Sequence, residues 1–215
     1  MTLDQSPKVK ICGVNSAAAF DAVVAAGADY LGFVFFPASP RFVTGGQAAV
    51  LSARYESGPK RVGLFVEPAM EEIEAVLAVV RLDVLQVYGP VDEVAAIKAR
   101  FGLPVWRAVG VAGVEDFPAA DEAADGYVLE AKPPKGATRP GGNAVMADWE
   151  LLARWRGDRF WLLGGGLTPE NVAGAMKLSG APGADVSSGV ETAPGIKSPE
   201  LIAKFVAAVR RAGLG

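Results

Sequence analysis

The 215-residue chain is the length of one ordinary domain, and 51% hydrophobic with 21% charged residues excludes intrinsic disorder and an extended coiled coil. Lys and Arg number 21 against 24 Asp and Glu, a formal charge of −3 that offers no electrostatic basis for holding nucleic acid or an anionic membrane. Histidine is absent, which excludes His-ligated zinc and every His-based triad, so proton transfer falls to carboxylates, the thiol, Lys or Tyr.

The first seven residues carry neither the basic nor the apolar region of a signal peptide, and a single Cys permits no internal disulfide; both features point to the cytoplasm. From there the chain alternates short β-branched or aromatic runs with longer stretches that space Ala, Leu and Val helically. A strand at 8–12 is followed by a helix at 16–26. A strand at 30–36 follows, in a tract that Asp21 and Asp29 make too polar for a membrane span. A helix is expected at 46–55, a strand at 61–66 and a helix at 71–80. Next come strand 84–87 with helix 92–101, and strand 105–109 with helix 115–120. Strand 126–130 leads into the longest irregular stretch, 131–147, rich in Pro and Gly and shaped like an active-site loop. Helix 148–156, strand 160–164, helix 169–179, strand 184–188 and helix 199–212 complete the order. Thr168 ahead of Pro169 and Glu170, and Ser198 ahead of Pro199 and Glu200, are expected N-caps.

Continuous apolar strands such as Leu31-Gly32-Phe33-Val34-Phe35-Phe36 suit a parallel sheet covered on both faces. A doubly wound open sheet and a closed barrel both meet that requirement. Eight strand-helix units favour the closed α/β solution, an eightfold parallel β/α (TIM) barrel spanning residues 1–215 as one domain.

In such a barrel, chemistry sits where strands end. Strand one ends at Cys12; a lone Cys is more often a small buried hydrophobe than a nucleophile or base, but its position at a strand end favours reactivity. Strand two runs into Pro37-Ala38-Ser39-Pro40-Arg41, a rigid approach to a guanidinium whose fork matches a carboxylate. Strand six ends at Glu130. That residue is either a solvated loop carboxylate or the crown of a buried strand, behind Tyr127, Val128 and Leu129. The last two strands end in Gly164-Gly165-Gly166 and Ser187-Ser188-Gly189, turns ahead of helical segments whose backbone amides suit a phosphate. A phosphorylated small molecule is the natural ligand.

These residues in this order resemble the phosphoribosylanthranilate isomerases of tryptophan biosynthesis. The motifs are Lys10-Ile11-Cys12-Gly13, the run from Gly27 to Phe35, Ser39-Pro40-Arg41, Asp83 to Gly89, the Gly141-Gly142 loop before Asp148-Trp149, Gly165 to Val172, and Asp185 to Glu191. The resemblance covers nearly the whole chain. It implies an Amadori rearrangement of N-(5′-phosphoribosyl)anthranilate to 1-(o-carboxyphenylamino)-1-deoxyribulose 5-phosphate, with no cofactor, no metal and no obligate partner. By the same resemblance Cys12 is the general base, Glu130 the general acid, and Arg41 the holder of the anthranilate carboxylate. Backbone groups of Gly142, Gly165, Gly166, Ser188 and Gly189 would hold the phosphate. The chain departs from the family where Glu130 replaces Asp, Tyr88 replaces His, and Asn143-Ala144 replace a second glycine pair. These departures leave a second reading open, a non-catalytic or repurposed barrel that binds a sugar phosphate.

Overall fold

A computed structural model describes residues 6–134, 136, 141 and 145–213. Eight parallel strands close on themselves in chain order: β1 (Lys8–Cys12), β2 (Tyr30–Val34), β3 (Lys60–Val66), β4 (Val84–Tyr88), β5 (Val105–Val111), β6 (Gly126–Ala131), β7 (Phe160–Leu163) and β8 (Gly183–Val186). The expected barrel is therefore present, and the open sheet is not. Closure is made by β1 against β8, where Lys10 stands opposite Asp185.

Between the strands run α1 (Ala17–Ala26), α2 (Gly45–Ser52), α3 (Met70–Leu77), α4 (Val91–Phe101), α5 (Trp149–Leu152) and α6 (Val172–Ser179), with α7 (Pro199–Ala212) after the last strand. Their ends follow local chemistry. The Ser16 hydroxyl accepts from the Ala19 amide, Thr44 and Gln47 form a reciprocal capping box, and Ser198 caps α7 ahead of Pro199.

Side-chain alternation divides each strand between two cores. Val9, Ile11, Leu31, Phe33, Leu85, Val87 and Leu129 pack with the helices in the outer core. The opposite faces fill the barrel. Val62, Val84, Trp106, Val128 and Leu162 plug its lower part with Tyr30 and Phe160, while Cys12, Val34 and Leu64 pack beneath the mouth with Tyr88.

Three expectations need correction. Residues 115–120 form no α-helix: a single 3-10 turn covers Val114–Asp116, pinned by the Asp116 carboxylate on the amides of Ala112 and Gly113. A run of six with Pro118 in its interior cannot complete helical hydrogen bonding. Thr168 is not the N-cap of α6. Residues 168–171 form a turn in which the Asn171 side chain accepts from the Thr168 amide, and the helix begins only at Val172. Strand eight stops at Val186, and after a 3-10 turn at Ser188–Val190 the chain makes an unforeseen antiparallel hairpin, β9 (Glu191–Ala193) and β10 (Ile196–Lys197). Among the described residues no helix is long and apolar enough to cross a membrane.

Candidate active site

The C-terminal ends of the strands surround an open-mouthed cavity whose walls include Cys12, Arg41, Tyr88, Glu130, Gly165, Gly166, Asp185 and Ser188. Cys12, Arg41 and Glu130 come from β1, the loop after β2, and β6, so the barrel brings together three residues that the sequence places far apart. Gly142 lies outside the described residues. Gly189 is absent from the cavity wall, but its turn sits directly behind Ser188.

The floor is a buried row of charge. Lys10, fully inaccessible, donates from Nζ to Asp185 Oδ1 at 2.8 Å across the seam where the barrel closes. Burial pulls the Lys10 ammonium down, but Asp185 and Cys12 outweigh it and hold it above its usual value. Cys12 is one strand pair higher on the same face. Burial raises its thiol, against the opposing pull of Lys10 and, more weakly, Lys197. Lys10 therefore favours the thiolate, as its position on the strand implies, without overcoming the cost of burial.

Across the cavity, Glu130 accepts a hydrogen bond from Tyr88 Oη at 2.6 Å on its Oε1. It is 7% exposed, which settles the two sequence readings in favour of the buried crown. Burial pushes its carboxyl up to about 7, with Asp185 adding to the rise and Tyr88 and Lys10 opposing it. A carboxyl in this state carries a proton near neutrality and can release it.

Arg41 is buried and already engaged. Nε and Nη2 grip both oxygens of Glu191 at 2.7 and 2.8 Å, and Lys197 donates to Glu191 Oε1 at 2.8 Å. The Gly195 amide supplies a further donor to Oε2. Arg41, Lys197 and their hydrogen bonds hold the Glu191 carboxyl below its ordinary range although burial opposes them. Lys197 also reaches the carbonyl and hydroxyl of Ser187, whose hydroxyl donates to the Cys12 carbonyl. The hairpin thus ties Arg41 to the strand that carries the thiol. Sequence reading missed Glu191 and Lys197 as site residues; the Pro194-Gly195 pair between two short runs was the available signal for the turn that brings them together. Arg41 Nη1 has no hydrogen-bond partner among the described residues, and Arg41 is one of the residues that line the cavity.

Gly165 and Gly166 both take positive φ, 84° and 64°, and a Cβ on Gly166 would meet the backbone of Met146. At Gly189 a Cβ would collide with the Leu167 carbonyl. Gly165 and Gly166 both line the cavity.

A closed β/α barrel whose strand-end cavity is lined by a thiol, a buried carboxyl raised to about 7 and a guanidinium carries the groups with which a barrel isomerase moves protons within one small substrate. Among such barrels, the family model described as N-(5′-phosphoribosyl)anthranilate isomerase matches residues 9–208, and the chain belongs to that family. The N-(5′-phosphoribosyl)anthranilate isomerase of Acidiphilium cryptum is 53% identical over 205 residues, covering 95% of this chain and 99% of its own. That of Paracoccus denitrificans is 54% identical over 204 residues, covering 93% and 95%. Among solved structures, phosphoribosyl anthranilate isomerase from Thermotoga maritima superposes with a TM-score of 0.81 at 32% identity, covering 95% of this chain and 99% of that one. A phosphoribosyl anthranilate isomerase in complex with reduced 1-(o-carboxyphenylamino)-1-deoxyribulose 5-phosphate superposes at 0.76 with 30% identity, covering 95% and 99%.

Proposed function

We propose that this barrel converts N-(5′-phosphoribosyl)anthranilate to 1-(o-carboxyphenylamino)-1-deoxyribulose 5-phosphate using Glu130 as general acid and Cys12 as general base. The observation that carries the assignment is that these two groups line one cavity at the strand ends, together with Arg41. Glu130 gives its proton to the furanose ring oxygen, and the ring opens to a protonated Schiff base. Cys12 then removes the C2′ proton, and the enolamine tautomerises to the ketose. The buried thiol loses its proton with help from Lys10 and Lys197, and the positive Schiff base adds a third favourable charge beside the sulfur. Asp185, held by Lys10, keeps the floor of the site charged and ordered.

The free end of the Arg41 guanidinium receives the anthranilate carboxylate while its other edge stays on Glu191. The phosphate lies at the opposite end, on backbone amides of the Gly165-Gly166 and Ser188-Gly189 turns and of Gly142. A cytoplasmic setting and action without an obligate partner belong to the same proposal. The test is a fluorescence assay that follows loss of N-(5′-phosphoribosyl)anthranilate. Turnover by the unaltered chain, and a fall of roughly 100-fold or more in Cys12→Ser, are expected; full activity in Cys12→Ser removes the thiol from the mechanism.

A further inference from the structure

Tyr88 stands at the end of β4 with its ring packed among Cys12, Val34 and Leu64 at the mouth of the barrel. Among the described residues its hydroxyl makes one directed contact, the 2.6 Å hydrogen bond to Oε1 of Glu130. The pair is roofed. Gly141 lies so close that a Cβ there would run into Tyr88 Oη and lie 2.8 Å from Glu130 Oε1. Glu has one more methylene than Asp, hence one more torsion to fix, and a buried carboxyl with free torsions delivers its proton poorly. A hydroxyl on one oxygen and a glycine roof over both groups remove that freedom.

We propose that Tyr88 is a positioning residue for the isomerisation: its hydroxyl donates to Glu130 Oε1, locks the carboxyl in one rotamer, and leaves Oε2 as the oxygen that carries the transferable proton. A carboxylic acid holds its proton on one oxygen at a time. With Oε1 occupied as an acceptor from Tyr88, the acidic O–H is directed away from β4 and into the cavity. The phenol itself remains protonated, because burial first and Glu130 second raise it well above its ordinary value. It acts as a fixed donor and exchanges no proton with the substrate. The groups that face Glu130 are Tyr88 from β4, Asp185 from β8 and Lys10 from β1, and of these Tyr88 alone bonds the carboxyl. The inference rests on Glu130 being the acid.

The experiment combines direct titration of the Glu130 carboxyl by carbon-13 NMR, its signal assigned by loss in Glu130→Gln, with steady-state kinetics of Tyr88→Phe, Glu130→Asp and the double variant. Phe keeps the ring and its packing, so the fold is retained while the donor is lost. Because Tyr88 bonds the charged form, its removal is expected to move the Glu130 midpoint upward from about 7, by roughly one pH unit. The kcat is expected to fall about 10-fold with KM nearly unchanged. In the Glu130→Asp background the same change should have little further effect, since a carboxyl shorter by roughly 1.5 Å lies beyond hydrogen-bond reach of the hydroxyl. An unmoved midpoint, or losses that multiply independently, overturns the role of Tyr88. Full activity in Glu130→Gln instead overturns the assignment of the acid, a distinguishable failure.

Discussion

Two glutamates with buried side chains stand at the C-terminal end of this barrel, and their surroundings move their carboxyls in opposite directions. Glu130 ends β6 with a phenol as its hydrogen-bond partner and no cation in contact, so burial dominates and its carboxyl rises to about 7. Glu191 begins the hairpin after β8 with Arg41, Lys197 and the Gly195 amide all donating to it, so its carboxyl falls below the ordinary range despite burial of the side chain to 4%. Burial sets the size of the electrostatic stakes, and partners decide the sign. The proposed acid is thus the carboxyl raised toward neutrality, while Glu191 holds a negative charge between two cations.

The largest effect separates the two by chemistry. Glu130→Gln keeps shape and hydrogen-bonding capacity but has no transferable proton, so kcat is expected to fall roughly 10²- to 10⁴-fold while affinity for a product analogue is retained. Glu191→Gln is expected to act on the fold instead. It leaves Arg41 and Lys197 beside a neutral amide, and removing one partner from a buried ionic cluster costs about 3 kcal/mol or more. Denaturant unfolding measures that loss, and a stability equal to that of the unaltered chain would show that the cluster carries no net energy.

A third effect tests the comparison through pH. Glu130 binds its proton more tightly folded, at about 7, than unfolded, near 4.5, so its contribution is fully present below pH 4.5 and is lost as pH rises through 7. Glu191 has the opposite sign: its contribution is present above its unfolded value and disappears as pH falls through its lowered folded value. Relative to the unaltered chain, Glu130→Gln should therefore gain stability between pH 5 and 8, on the order of 3 kcal/mol across the interval. Melting curves of both proteins at these two pH values suffice. A constant difference would mean that Glu130 titrates normally.

The sequence made some of this legible and hid the rest for physical reasons. Strand ends are readable because alternation and length are local, so Cys12 and Glu130 fell at the mouth of the barrel from pattern alone. The Lys10 and Cys12 pairing was also visible, since residues two apart on a strand share a face. The Glu191 partnership was not, because it joins positions 41 and 191, distant in sequence and brought together by strands flanking β1, and depends on a hairpin whose two strands total five residues, too short to give a periodic signal. Arg41 accordingly read as a free fork, when one edge of it is already engaged. Residues 115–120 failed for the opposite reason, since helical composition in a short run gives no helix without packing to support it.

The smallest expected effect follows from that shared guanidinium. Arg41 spends one edge, Nε with Nη2, on Glu191, and the proposed function gives the end bearing Nη1 to the substrate. Arg41→Lys keeps a positive charge near Glu191 but presents a single ammonium, which cannot grip one carboxylate bidentately and offer a second fork to another. Lys197 remains on Glu191, so the cluster retains a cation and the fold should lose much less than in Glu191→Gln. The anthranilate carboxylate loses its directed contact in both the ground state and the transition state. KM is therefore expected to rise about 10-fold while kcat changes little. A substrate analogue lacking that carboxylate should bind the variant and the unaltered chain alike, because the contact removed by the substitution is one it never makes. A fall confined to kcat would place Arg41 in the chemistry, as a support for the thiol through Glu191, Lys197 and Ser187, and not in carboxylate recognition.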